Sequence, residues 1–184
     1  MTPLDQATRA LIALRSDLDA EILSLSKRLP SLTCHRGCRD CCEDDLNVFE
    51  IEAELCLRYH SELLDRGIPA PKGRCAFLGF ADECRIYAER PYVCRTQGLP
   101  LRWYAETETG EILEEHATCR QNSIDSASPS ALEPHTKLHL PTLPESDFWL
   151  IGPYEERLSE IQGNLDHDQY FRVPLRALFS KQEQ

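Results

Sequence analysis

All nine cysteines of this chain lie between positions 34 and 119, and four of them fall within nine residues, in the run CHRGCRDCC at residues 34–42. Packing alone gives no reason for four thiols so close together. Zinc takes four soft ligands in a tetrahedron, and an iron–sulfur cluster takes a thiolate at each iron, so a cysteine-rich turn completed by cysteines from distant loops suits either group. The pattern therefore predicts a segment that folds around zinc or iron, as single ions or as an iron–sulfur cluster.

Eight of the nine cysteines are predicted metal ligands: Cys34, Cys38, Cys41, Cys42, Cys75, Cys84, Cys94 and Cys119. Side chains of adjacent residues tend to diverge, so Cys41 and Cys42 are not expected to bind the same ion in an unstrained loop. Two centres, or one dinuclear centre, are favoured, and the order of the cysteines leaves open which of them share a centre. Cys56 lies beside Leu55 on an apolar helical face and is expected to be a small hydrophobic core residue instead.

Arginines directly border these cysteines at five positions, where about one or two would be expected by chance: Arg39, Arg74, Arg85, Arg95 and Arg120. A four-thiolate site around a divalent ion retains negative charge, which guanidinium groups can offset while they donate hydrogen bonds to sulfur. The residues predicted to surround the thiolates in this way are Arg39, Arg85, Arg90 and Arg95. The alternative is that these arginines are ordinary surface residues.

The histidines, in contrast, show no spacing that is typical of metal ligands. His35 and His116 lie nearest to the cysteines and are considered as ligands or as hydrogen-bond partners of ligands. The remaining histidines are expected on the surface or in loops: His60, His135, His139 and His167. Acidic residues near the cluster are expected to be solvated or to be helix N-terminal charges: Asp40, Glu43, Asp44 and Glu50. No catalytic residue is predicted.

The charge balance indicates which partners the chain avoids. A net charge of -11 and a pI near 5.0 repel phosphate backbones and anionic lipids, so neither nucleic acid nor a membrane is an expected partner. The N-terminal segment lacks the apolar core of a signal peptide, and no run of about 18 apolar residues occurs. The chain is therefore predicted to be cytoplasmic, and a cysteine-dense cytosolic chain typically binds metal rather than forming disulfides.

One domain of the α+β class is expected, mostly helical, with an irregular cysteine-rich metal-binding core and one β-hairpin. Residues 1–30 are predicted to form an N-terminal amphipathic helix with a capping box at Thr2 and an end at Pro30. Residues 31–122 form the predicted cysteine-rich metal-binding core. Residues 123–184 are predicted to contain a loop, a C-terminal helix and an extended tail that pack on this core.

Within this plan the sequence predicts four further elements. A helix capped by Asn47 ends before Gly67, and residues 73–94 form turns without a long element. Residues 101–106 and 111–116 form a hairpin, and a helix covers about 153–162. The hairpin is expected to return Cys119 to the other cysteines. The first helix is expected to pack its apolar stripe on the rest of the domain, so the chain is predicted to be a monomer or a weak homodimer.

Several runs taken together resemble a known family: the cysteines of 34–42, CAFL at Cys75–Leu78, CRIYAERPYVCR at Cys84–Arg95, GLPL at Gly98–Leu101, and Cys119. Over roughly residues 30–122 the chain resembles the zinc- or iron-chelating proteins of the YkgJ or CxxCxxCC family. The family name implies two residues between the first two cysteines, where this chain has three, His35 to Gly37. The resemblance implies metal chelation and no particular reaction. A related cysteine pattern occurs in flagellin lysine-N-methylases, where it accompanies an iron–sulfur centre and methyl transfer.

Several functions are compatible with this pattern. The first is a structural or partner-docking metalloprotein, in which metal clamps the loops and Arg90, Arg95 and the acidic surface face another protein. The second is an enzyme that uses an iron–sulfur cluster or an open metal position for redox or methyl-transfer chemistry. The metal itself would have to supply that chemistry, because the chain has no nucleophile elbow, P-loop or dinucleotide motif. A radical S-adenosylmethionine cluster loop has the spacing of Cys34, Cys38 and Cys41, but Asp40 stands where those enzymes usually carry an aromatic. A metal carrier or redox sensor with exposed thiolates is the fourth.

Overall fold

The computed structural model of the protein describes residues 2–119, 121–122, 143–165 and 171–182. Its helices are α1 (Pro3–Arg28), α2 (Glu50–Tyr59), α3 (Ser61–Arg66), α4 (Tyr92–Thr96) and α5 (Gly152–Gly163). Its strands are β1 (Asn47–Phe49), β2 (Leu101–Glu106), β3 (Ile112–Ala117), β4 (Trp149–Leu150) and β5 (Arg172–Pro174). Short 3-10 helices cover Tyr87–Glu89, Glu145–Asp147 and Leu175–Gln182. This mixture of helices and small sheets confirms the predicted α+β class.

Some predictions concern residues outside the described ranges. They are the loop over 123–134 and the roles considered for Arg120, His135, His139 and His167. The division of the chain into a core and two flanking segments stays a prediction.

The long first helix begins and ends as its sequence predicts. The backbone amide of Asp5 donates to the side-chain oxygen of Thr2 over 3.1 Å, and the Thr2 amide donates back to the Asp5 carboxylate over 3.2 Å, which completes a capping box. The helix stops at Arg28, two residues before Pro30. Its apolar stripe is buried against the rest of the domain, at Ala7, Leu11, Leu14, Leu18 and Leu25.

The predicted start of the second helix at Asn47 is wrong. Residues Asn47–Phe49 form β1, which pairs antiparallel with β5 near the other end of the chain. The helix begins only at Glu50, and the chain breaks at His60 into α2 and α3 before the predicted end at Gly67. Local spacing suggested a cap, but Val48 and Phe49 are buried by pairing with a strand more than a hundred residues away, which no local pattern reveals.

Near the C-terminus, the predicted helix is confirmed and the predicted extended tail is only partly right. The helix forms as α5, with Tyr154 and Leu158 buried. Only β5 is extended, and the following residues Leu175–Gln182 turn into a 3-10 helix. Leu175 and Phe179 of this segment are buried, so packing of its apolar side chains against the cysteine-rich region decides its conformation.

The predicted hairpin is confirmed. Strands β2 and β3 pair antiparallel from Leu101 opposite Ala117 to Glu106 opposite Ile112. Gly110 in the connecting turn has a φ of 80°, a left-handed conformation that glycine adopts without steric cost. Strand β4 adds to the other edge of β2 in parallel, a pairing that the sequence did not predict.

Glu52 of α2 ties the helical layer to the cysteine-rich segment. Its carboxylate is 2% exposed, accepts a hydrogen bond from the backbone amide of Tyr92 over 2.7 Å, and lies 3.4 Å from the guanidinium of Arg15 on α1. Burial raises the pKa of Glu52, and Arg15 and the Tyr92 amide oppose that shift. Tyr92 is the first residue of α4, so Glu52 positions the short helix that carries Cys94.

Candidate metal centre

Four separate segments supply the predicted ligands. The loop of residues 34–42 provides four cysteines, the turn of residues 75–84 provides two, α4 provides Cys94, and Cys119 follows β3. The predicted absence of a long element over residues 73–94 is confirmed, because only turns, one isolated bridge, a 3-10 helix and the start of α4 occur there.

Backbone hydrogen bonds and one asparagine hold these segments together. The amide of Cys75 donates to the carbonyl of Cys42 over 3.0 Å. The side chain of Asn122 accepts from the amide of Thr33 over 3.0 Å and donates to the carbonyl of Gly98 over 2.7 Å. Asn122 is buried and lies three residues after Cys119, so it joins the beginning of the cysteine loop to the segments behind it.

The eight thiols fall into two groups of neighbours. The inner quartet consists of Cys42, Cys75, Cys84 and Cys94, whose charges act on one another. The outer quartet consists of Cys34, Cys38, Cys41 and Cys119, which interact in the same way. The sequence favoured two sets and left their membership open. This grouping follows the electrostatic interactions among the thiols, and Cys41 also acts on Cys42 and Cys94 of the inner quartet.

The two quartets border two adjoining cavities, although Cys38, Cys41 and Cys94 border both of them and Cys119 borders neither. The inner quartet borders a cavity of about 40 Å³ whose other walls are largely apolar: Leu46, Phe77, Ile86 and Leu175. Cys34, Cys38 and Cys41 of the outer quartet border a cavity of about 130 Å³ that also contacts His35, Arg95 and Gly98. The two cavities share a wall, formed by Cys38, Cys41, Tyr87, Arg90 and Cys94.

The doubled cysteine lies at the boundary of the quartets. Cys41 interacts with Cys34 of the outer quartet, whereas Cys42 interacts with Cys75 and Cys84 of the inner one. The two sulfurs also hydrogen-bond to each other, and this bond from Cys42 lowers the pKa of Cys41 to about 7 while it raises the pKa of Cys42. That Cys41 and Cys42 bind different ions stays a prediction, because both border the inner cavity.

Most of the other thiols resist ionisation. Burial raises the pKa of Cys75, Cys84, Cys94 and Cys119, and neighbouring thiols raise several of these pKa values further. Burial of its sulfur likewise raises the pKa of Cys34 to about 11. A cluster of soft donors that remains neutral until a cation offsets its charge is what a thiolate metal site requires, so the donor set fits zinc or iron.

Arg90 is the cation that both quartets share. Its side chain borders both cavities, and its positive charge opposes the rise in the pKa of Cys34 and of Cys84. The guanidinium carbon lies 3.6 Å from the centroid of the Tyr87 ring, and Nε donates to the Tyr87 carbonyl over 3.0 Å. Arg90 is therefore held in place independently of the thiols.

The other predicted arginines have different roles. Arg39 forms an ion pair with Asp82, which also pairs with Arg74. Its position beside a thiolate stays a prediction. The chain after Gly79 brings Asp82 within reach of both arginines, and a carboxylate competes with a thiol for a guanidinium.

Arg85 and Arg95 are closer to their predicted places. Arg85 donates to the carbonyl of Ala76 over 2.8 Å and interacts electrostatically with Cys75 and Cys84. Arg95 borders the outer cavity but is bound to Asp19 over 2.7 Å and to the carbonyl of Arg90 over 2.7 Å. Its side chain is only 7% exposed, so it does not form the docking face predicted for it.

The remaining residues considered near the cluster behave mostly as expected. His35 borders the outer cavity, but its Nδ1 lies 2.7 Å from the carbonyl of Thr33. His116 pairs with Glu114 and stacks on Phe148. Asp44 differs from the expected solvated charge, because it accepts from the Gly73 amide over 2.8 Å and pairs with Arg176 of the C-terminal segment. Cys56 is fully buried and borders neither cavity, which confirms it as a core residue.

Gly98 is a site residue that the sequence reasoning missed. A Cβ atom built on Gly98 would overlap the Sγ atom of Cys34. The sulfur of Cys34 therefore occupies the space that any other residue at position 98 would fill. The GLPL run at residues 98–101 was the available signal, because it stands among the motifs that carry the family resemblance.

Substitution of Gly98 by alanine is expected to displace the Cys34 thiol and to weaken metal binding by the outer quartet by about 10- to 100-fold, the usual effect of disturbing the support of a ligand. Competition with a chromogenic chelator measures this affinity. Gly152→Ala is the matched control, because a Cβ at Gly152 meets no atom within 4 Å. Equal affinities in the two variants would contradict the placement of Cys34 against Gly98.

The thiols do not form a closed coordination shell as they stand. In the part of the chain that the structure describes, no group of three or more histidine, cysteine, aspartate or glutamate side chains is arranged to hold a metal ion. Metal binding by the core, and the role of the eight cysteines as ligands, therefore stay predictions. The structure contributes the convergence of seven of these cysteines, all but Cys119, on two adjoining cavities.

A chain whose loops bring seven of these eight thiols to two adjoining cavities is a cysteine-rich α+β protein with the donor set of a soft-metal site. Residues 33–120 match the model of the CxxCxxCC family, described as a "Putative zinc- or iron-chelating domain". This match confirms, over residues 33–120, the resemblance seen in the sequence. No curated protein and no solved structure matches the chain. None of the helices in the described ranges combines the length and apolar character needed to cross a bilayer.

Proposed function

We propose that the chain binds two metal ions, zinc or iron, one through the inner quartet and one through the outer quartet, and that these ions hold the irregular core together. The observation that carries the proposal is the convergence of seven of the eight thiols, from three separate segments, on two adjoining cavities. The eighth thiol, Cys119, interacts electrostatically with Cys34, Cys38 and Cys41. The match of residues 33–120 to a chelating family supports the same chemistry.

The segment around the thiols has little regular secondary structure, so bound ions would stabilise it. Between Gly67 and Pro91 the backbone forms turns, one isolated bridge from Leu78 to Cys84 and one 3-10 helix. Such a segment has few ladder hydrogen bonds with which to offset its conformational entropy. Metal–thiolate bonds would connect it to the cysteine loop and to α4, and thereby close loops that the apolar contacts alone hold weakly.

The charges around the cavities suit two centres with excess negative charge. Arg90 borders both cavities and Arg85 lies beside two thiols of the inner quartet. Guanidinium groups remain protonated at any physiological pH and can stabilise thiolates without competing for the metal. Because the two cavities adjoin at Arg90, this side chain can stabilise the thiolates of both centres.

The test is the metal content of the full chain after anaerobic purification. About two equivalents of zinc or iron per chain are expected, since each set of four thiols completes one tetrahedral site. Elemental analysis measures the metal, and the visible spectrum separates colourless zinc from iron. Fewer than two equivalents in fresh, reduced protein would contradict the proposal. Inorganic sulfide in an amount equal to the iron would show that the thiols bind an iron–sulfur cluster rather than two single ions.

A further inference from the structure

We infer that the two quartets are functionally unequal: the inner quartet is a permanent structural centre, and the outer quartet is an exchange site at which small soluble chelating ligands reach the metal. The inference rests on the proposed function and adds a division of labour to it. Three independent observations carry it.

The first observation is the relation of each quartet to the apolar core. Cys75 belongs to a buried cluster with Phe77, Ile86 and Leu175, and the other three inner thiols pack against that cluster. None of the outer four belongs to, or packs against, either apolar cluster of the described residues. Release of an inner ligand would therefore require local opening of the core, whereas release of an outer ligand would not.

The second observation is exposure. Cys34 is the one exposed cysteine among the nine, all of which lie in the described part of the chain, whereas Cys75 of the inner quartet is buried and the other three cysteines of each quartet are half-buried. Thiolates near solvent exchange ligands and react more readily than buried structural thiolates. Cys34 is therefore the most accessible point of the outer quartet for an incoming ligand, although its sulfur lies against Gly98.

The third observation is the chemistry of the two cavities. The inner cavity of about 40 Å³ is lined by thiols, by apolar side chains and by Tyr87 and Arg90. The outer cavity of about 130 Å³ is larger and contacts His35 and Arg95 in addition to Arg90. Space and several polar donors are what a small anionic or thiol-bearing chelator needs beside a metal, and the inner cavity has less space and, of these three side chains, only Arg90.

Release of zinc to an excess of the chromogenic chelator 4-(2-pyridylazo)resorcinol tests the inference on zinc-loaded, full-length protein. Two steps of one equivalent each are expected, with rates that differ by about tenfold or more because the surroundings of a site control access to it. The outer variant Cys119→Ser is expected to lose the fast step and keep the slow one. Cys56→Ser, which alters a thiol of neither quartet, is the matched control and should keep both steps.

Labelling of the wild-type chain with iodoacetamide provides a readout that does not depend on a folded variant. Peptide mass spectrometry after the first equivalent has left should find the outer cysteines modified and the inner cysteines protected. Release of two equivalents at one rate, or earlier labelling of the inner quartet, would overturn the inference and leave the proposed function standing. Binding of fewer than two equivalents would instead contradict the proposed function, and the inference with it.

Discussion

Substitution of Cys84 by serine is expected to remove the inner metal and to unfold the segment between Cys42 and Cys94. A structural metal–thiolate site contributes on the order of 10 kcal/mol to folding. The net stability of a domain is about 5–15 kcal/mol, so the loss is comparable to the whole. Hydrogen exchange measures the effect locally. The amides of Cys75 and Arg85, which donate to the carbonyls of Cys42 and Phe77, should lose their protection.

Cys56→Ser is the matched control for this substitution. Cys56 is as buried as any inner thiol but borders neither cavity, so its serine variant should keep both metal ions. A buried hydroxyl without a partner costs about 1–3 kcal/mol, which is far less than loss of a metal site. If the Cys84→Ser variant kept both metal ions and the protection of those amides, the proposal that the inner quartet holds a structural metal would be contradicted.

Substitution of Glu52 by alanine is expected to destabilise the protein by about 3–5 kcal/mol, because removal of one partner leaves the buried guanidinium of Arg15 without its counter-charge. The change also removes the acceptor for the Tyr92 amide at the start of α4. Urea denaturation measures the loss. Because α4 carries Cys94, the variant should also bind metal more weakly than the wild type.

Two further variants separate these contributions. Glu52→Gln keeps an oxygen that can accept from Tyr92 and should cost less than Glu52→Ala. Glu54→Ala on the same helix is the matched control, because Glu54 is half-exposed, and it should change the free energy of unfolding by about 0.5 kcal/mol or less. A Glu52→Ala chain as stable as this control would show that the buried carboxylate does not hold α1, α2 and α4 together.

The accuracy of the sequence predictions followed the range of the interactions behind them. The capping box at Thr2, the hairpin around Gly110 and the helix at α5 depend on residues within a few positions of one another, and all three formed as predicted. The Asn47 cap failed because pairing with β5 overrides a local preference for helix. Strand β4 is two residues long and pairs with β2, which is distant in sequence, so no local pattern predicted it.

The candidate site shows the same division between local and long-range effects. The choice of eight cysteines and the exclusion of Cys56 came from spacing and apolar periodicity. Arg90 borders both cavities, whereas Arg39 pairs with Asp82, a residue distant in sequence that no local pattern could indicate. Contact of Gly98 with Cys34 joins two loops, and only their folded arrangement brings these residues together.

The sequence by itself determined that this chain carries a soft-metal donor set, since thiols at close spacing suit zinc or iron whatever the path of the chain between them. It also determined the long first helix and the hairpin, whose signals are local. Only the tertiary structure decided which thiols are neighbours, where Arg90 lies between the two quartets, and which quartet the apolar core surrounds. Grouping depends on how loops close over long separations, and the packing of α2, α4 and the C-terminal segment controls that closure.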